Sequence, residues 1–203
     1  MLGKQPVWEQ VEQFRKKHPS TSGGFLPVDI FTLVEVDLEL DVIPFDDLFP
    51  KYGVDAALTQ DFTAIYVDAE SYVLWEKAPE WKQYRLRFSV AHELGHCVLH
   101  REIASQQKFQ SFKQFFEWTR TYGGNKYSLE QAANEFAGRL LVPFDRLQAN
   151  VSELAKGVQH AFPDWKSSVE FLRFFSAQVS EVYGVSAKVI EVRLEREGLW
   201  IIS

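Results

Sequence analysis

Cysteine and methionine are nearly absent: Cys97 and Met1 are the single examples among 203 residues. One thiol closes no disulfide within a chain, so nothing here demands an oxidising compartment, and packing must hold the fold together. Also missing is any run of the roughly 18 apolar residues that a spanning helix needs. The opening MLGKQPVWEQVEQF has no apolar stretch of the secretion-signal kind. A cytoplasmic location and no membrane partner are therefore expected. Positive charge is scarce too, since 22 Lys and Arg stand against 28 Asp and Glu for a net charge of -6. Such a chain is repelled by nucleic acid unless one face is basic, and Arg15-Lys16-Lys17 and the Arg85, Arg87 pair are short clusters of the kind that a solvated surface carries. No direct nucleic-acid contact is expected. Repeats and low-complexity segments are likewise missing.

What is present suits a packed domain. Hydrophobic residues make up 46% and aromatics 15%, with 17 Phe and 6 Trp, enough large apolar area for a real core. Val7, Val11 and Phe14 predict a helix over 7–17 that ends in the turn-rich stretch 18–24. A short helix is expected over 28–36, a strand over 38–44, and a pair of strands over 56–60 and 63–68 turned at Asp61 and Phe62. Leu86, Val90, Leu94, Val98 and Leu99 predict one continuous helix from Trp81 to about Arg101. Residues 102–127, rich in Phe, read as a helical or partly ordered cover ending at Gly123 and Gly124. A second strong helix should run from Ser128, as N-cap, to Pro143. Helical patterns broken at Pro163 and Gly184 fill the rest. The expected fold is α+β, with a small mixed or antiparallel sheet on a helical core. The division expected is a main domain over 1–148 and a C-terminal helical segment over 149–203 packed on it.

The chemistry-bearing motif is His92-Glu93-Leu94-Gly95-His96, spaced H-E-x-x-H. Residues four apart on a helix share a face about 6 Å along the axis, so two imidazoles can converge on one ion. Glu93 then lies beside the pair, where a general base for an activated water must stand. Catalytic zinc takes three protein ligands, so a third is needed. His100 shares the face but is eight residues from His92, about 12 Å along an unbroken helix. It fits better as a hydrogen-bonding or core residue behind the ligands. Glu130 opens the second helix, and Asn134 one turn later can hydrogen-bond the spare ring nitrogen of a ligand histidine. Glu135, on another face, is the weaker alternative. Tyr122, Tyr127 and His100 are options for a transition-state donor, and an extended substrate could pair with an exposed strand at 63–68.

Three stretches resemble the ImmA/IrrE family of metallo-endopeptidases. Arg87-Phe88-Ser89-Val90-Ala91-His92-Glu93-Leu94-Gly95-His96-Cys97-Val98-Leu99-His100 is similar to its active-site helix. Glu130-Gln131-Ala132-Ala133-Asn134-Glu135-Phe136-Ala137-Gly138-Arg139-Leu140-Leu141-Val142-Pro143 is similar to its glutamate-bearing helix. Val182-Tyr183-Gly184-Val185-Ser186, running on to Arg193-Leu194-Glu195, is similar to its C-terminal segment. The resemblance implies a zinc peptidase of gluzincin type, with a zincin-like metallopeptidase core over 1–148, one ion, manganese being the alternative, and Glu130 as third ligand. It also implies a protein substrate, a helix-turn-helix repressor of stress-response or mobile-element genes, supplied as a separate partner. Two rivals remain: a regulatory or DNA-binding module with a structural metal, suggested by the helix-break-helix around Gly184, and one half of a toxin-antitoxin pair.

Overall fold

The structure, a computed structural model, describes residues 4–122 and 129–201. Gly123, Gly124, Tyr127 and Ser128 lie outside the described residues. Helix α1 (Lys4–Lys17) buries Val7, Val11 and Phe14, the stripe that its periodicity demands. Pro19 then starts a single turn, α2 (Pro19–Ser22), where the sequence suggests only a bend. Proline's fixed φ and missing N–H suit a first helical position. Asp29 caps α3 (Ile30–Thr32) by accepting from the Thr32 N–H at 3.1 Å, and the chain runs straight into a π-helical turn at Leu33–Asp37.

That turn delays the first strand. The Leu38 N–H donates to Leu33 O and the Leu40 N–H to Val34 O, so the backbone there is still tied to the helix and β1 (Asp41–Phe45) starts later than its side-chain pattern predicts. Next come α4 (Leu48–Tyr52), β2 (Ala56–Leu58), β3 (Ala64–Asp68), α5 (Ala69–Val73) and a 3-10 turn at Trp75–Lys77. Asp68 serves two of these elements. Its carboxylate accepts from the Phe49 N–H in α4 at 3.1 Å and caps α5 by accepting from the Ser71 N–H at 3.3 Å.

The three strands form one mixed sheet in the order β1-β3-β2, with β3 parallel to β1 and antiparallel to β2. This overturns the expectation of an exposed strand at 63–68, because β3 is the central strand, bonded on both sides and mostly buried. Alternation turns Ile65 and Val67 inward, fully buried, and turns Tyr66 outward onto Phe45 and Phe112.

Beneath the sheet runs the long helix α6 (Glu80–Ser105), then α7 (Phe112–Thr121) and α8 (Leu129–Leu141). Ser111 caps α7 by accepting from the Gln114 N–H at 3.3 Å. The Phe-rich cover is thus a helix whose Phe112 and Phe116 meet Tyr52 edge to face while Phe115 packs on Phe62. After Pro143 come α9 (Phe144–Val158), a 3-10 turn at Trp165–Ser167, α10 (Val169–Tyr183) and α11 (Ala187–Arg196). Gly184 separates the last two in the left-handed conformation, φ 60°. The division expected at 148/149 falls inside α9, and one cluster of buried apolar side chains runs from Val7 to Trp200. The chain is α+β. Among the described residues no helix is long and apolar enough to cross a membrane.

Candidate metal centre

α6 and α8 cross in close contact, and Gly95 is the reason they can. A Cβ at that position would lie 2.9 Å from Ala133 Cα, 3.0 Å from Ala133 O and 3.1 Å from Phe136 Cβ. Only a residue without a side chain lets the two backbones meet there. Ala132, Ala133 and Ala137 continue the narrow seam, and Leu86, Val90, Leu94, Phe136 and Leu140 fill its flanks as buried core. The glycine inside the H-E-x-x-H motif therefore sets the distance between the two helices that carry the site.

At the crossing the histidines of α6 meet the glutamate of α8. His92 Nε2 lies 3.3 Å from Glu130 Oε2, His96 Nε2 lies 3.3 Å from Glu130 Oε1, and the two Nε2 atoms are 3.0 Å apart. One donor atom from each residue falls within 4.8 Å of the others. Nitrogen and oxygen ligands at about 2.0–2.2 Å around a tetrahedral ion are separated by about 3.3–3.5 Å. The triangle observed is that of a pre-assembled two-histidine, one-carboxylate set, and the group could hold a metal ion.

Behind the triangle each histidine is held through its other nitrogen. His92 Nδ1 donates to Asn134 Oδ1 at 3.0 Å, and His96 Nδ1 lies 3.0 Å from His100 Nδ1. His100 is buried and does not reach the triangle itself. Burial, with the neighbouring imidazoles His96 and His92, pushes the His100 pKa down to about 3. It stays neutral, so its Nδ1 can accept a hydrogen bond from the His96 Nδ1–H and leave the His96 Nε2 lone pair free. Burial alone would raise the Glu130 pKa, but hydrogen bonds and charge from His92 and His96 overcome it and hold the carboxylate ionised. For His92 burial works downward, yet Glu130, Glu93 and Asn134 together raise the pKa above the usual histidine value. Glu135 takes no part: it is buried on the far side of α8, accepting from Trp8 Nε1 at 2.7 Å and paired with Arg196.

The triangle opens into a cleft of about 230 Å³ lined by His92, Glu93, Glu130 and Asn134, by Ala56 and Leu58 of β2, and by Phe115, Phe116 and Arg120 of α7. Glu93 sits on its floor, one oxygen accepting from the Leu58 N–H at 2.7 Å. The ladder bonds to β3 pass through Asp55 O and Thr59 N–H. Alternation then turns the main-chain groups of Ala56 and Leu58 toward the cleft. The strand that borders the cleft is thus β2, an edge strand among the described residues. Sequence reasoning missed the Leu58 N–H and the α7 side chains: a main-chain donor has no residue signature, and Phe and Arg on a helix read as packing and solvated charge. Of the suggested transition-state donors, Tyr122 packs on Trp118 outside the cleft lining, His100 lies behind His96, and Tyr127 is outside the described residues.

Comparison with known proteins agrees with this arrangement at the level of family. No curated protein matches the chain. The pattern that defines the IrrE N-terminal-like domain, a peptidase family numbered M78, matches residues 66–195, from the middle of β3 through the three donor residues to the last turn of α11. The chain is a member of the IrrE N-terminal-like peptidase family.

Proposed function

We propose that the chain is a zinc-dependent endopeptidase in which His92, His96 and Glu130 hold one ion and Glu93 is the general base. The reading is carried by the donor triangle, assembled from two helices with Glu93 beside it on the cleft floor. Two imidazoles and one carboxylate suit zinc best, with manganese as the alternative. When bound, such an ion supplies the Lewis acidity that polarises a carbonyl and acidifies a water.

The chain's own groups do the rest. Leu58 N–H fixes one Glu93 oxygen, which orients the carboxylate while its other oxygen accepts a proton from the attacking water and later delivers it to the departing nitrogen. The Asn134 and His100 hydrogen bonds hold both imidazoles in the tautomer with a free Nε2. An extended peptide adds to the edge of β2 through the main-chain groups of Ala56 and the Leu58 carbonyl, the Leu58 N–H being taken by Glu93. The substrate proposed is a separate helix-turn-helix repressor in the cytoplasm, a reading that draws on the family resemblance.

Glu93→Gln is the deciding variant. It should bind metal in the same stoichiometry as the parent and lose peptide cleavage by at least about a hundredfold, as general-base removal does. Full turnover in metal-loaded Glu93→Gln would exclude the mechanism. Incubation with a helix-turn-helix repressor from the same organism, with and without chelator, tests the substrate: metal-dependent fragments are expected.

A further inference from the structure

A second hollow of about 730 Å³ lies beside the metal cleft. Trp81, Tyr84 and Phe88 of α6 form one wall, and Ala187 and Val189 of α11 form the other. Phe88 and Ser89 line both hollows, so the two adjoin. Ser89 stands one helical turn before His92.

The course of β2 leads a peptide into this groove. Two bonds lay the strand along α6: Leu58 N–H meets Glu93 at 2.7 Å, and Asp55 meets Arg85 Nη2 at 2.7 Å. A chain paired with the β2 edge is thereby guided from Glu93 toward Arg85. The axial distance from residue 93 to residue 88 is about 7.5 Å, which two or three extended residues cover at about 3.3 Å each. The walls that the peptide reaches are mostly apolar, with Glu80, Ser89 and Ser186 as polar members beside Arg85. The Arg85 charge at the rim is taken up by Asp55, and its guanidinium stacks on Phe49 at 4.5 Å and Trp81 at 5.4 Å. Trp81 is 57% exposed, and a large uncovered aromatic beside a groove marks a contact surface.

We propose that this groove is a specificity subsite taking one large apolar side chain of the peptide substrate, two or three residues from the bond that is cut. It rests on the endopeptidase reading and deepens it. Digestion of a degenerate peptide mixture by the metal-loaded protein tests it. Leu, Met, Phe or Trp should be enriched at a position two or three residues to one side of the cleaved bond. In Ala187→Trp, whose indole fills the groove, kcat/KM for the best such peptide should fall about ten- to a hundredfold, while a peptide with Ala at that position is cut as before. Trp81→Ala, at an exposed residue that the fold does not need, should weaken the same preference. Cleavage with no preference there, or with a preference that both variants leave untouched, overturns the subsite and leaves the endopeptidase standing. Failure of the metal-loaded protein to cut any peptide, with none bound by Glu93→Gln, removes both.

Discussion

On a helix of 3.6 residues per turn, Asn134 stands about 40° round from Glu130 and Glu135 about 140°. That difference separates a residue that touches His92 from one that faces Trp8 and Arg196 on the other side of α8. Glu130→Ala should therefore abolish stoichiometric zinc uptake, read by elemental analysis, while the Glu135 contacts and the fold persist. Asn134→Ala removes only the hydrogen bond behind His92. Metal affinity should drop about ten- to a hundredfold, the usual effect of losing such a partner, measurable by competition with a chelating dye. The pairing of His92 with His96, and of Glu130 with Asn134, was readable in the sequence because helical geometry turns spacing into direction within one helix. The Leu58 N–H on Glu93 was not, since every residue but proline carries the same group and only the strand's placement aims it.

Among the elements, the close crossing of α6 and α8 has the sharpest consequence. Gly95→Ala would press a methyl group against the Ala133 backbone. Overpacking of this kind costs about 1–3 kcal/mol, and because backbone cannot step aside as a flexible side chain does, the helices must part. Urea titration should show the loss, and zinc affinity should fall with it although no ligand has changed. A Gly95→Ala protein as stable and as zinc-avid as the parent would show that the seam does not set the site. The long helices were legible, since a 3.6-residue apolar period over many turns has few competing explanations. The strand at 63–68 was found but taken as exposed: its side chains mark a strand, not which neighbours flank it. α4 and α5 span too few turns to show a period, and β1 begins late because the π-helical turn at Leu33–Asp37 claims Leu38 and Leu40 N–H groups that a ladder would otherwise use.

For the whole molecule, a metal bound only by the folded state adds stability by mass action. At a hundredfold excess over its dissociation constant the gain is about 2.7 kcal/mol, or about 5–10 °C in melting temperature for a chain of this size. Calorimetry with and without chelator should show that shift, and Glu130→Ala should show none of it. The α+β class was legible from the strand cluster preceding the long helices, but what couples the far ends of the chain was not, because it is built from charges that look like ordinary surface in the sequence. Arg139 of α8 bonds Glu12 of α1 at 3.1 Å and Glu197 at 2.6 Å, and Glu197 also pairs with Arg193. Glu135 joins Trp8 at one oxygen and Arg196 at the other. Both extremities thus grip the rear of the helix whose front carries Glu130. Trimming either extremity, to shorten the protein for biophysical work, would strand buried carboxylates and guanidinium groups and loosen the donor triangle from behind, so a minimal version has to retain the stretch from Trp8 to Glu197.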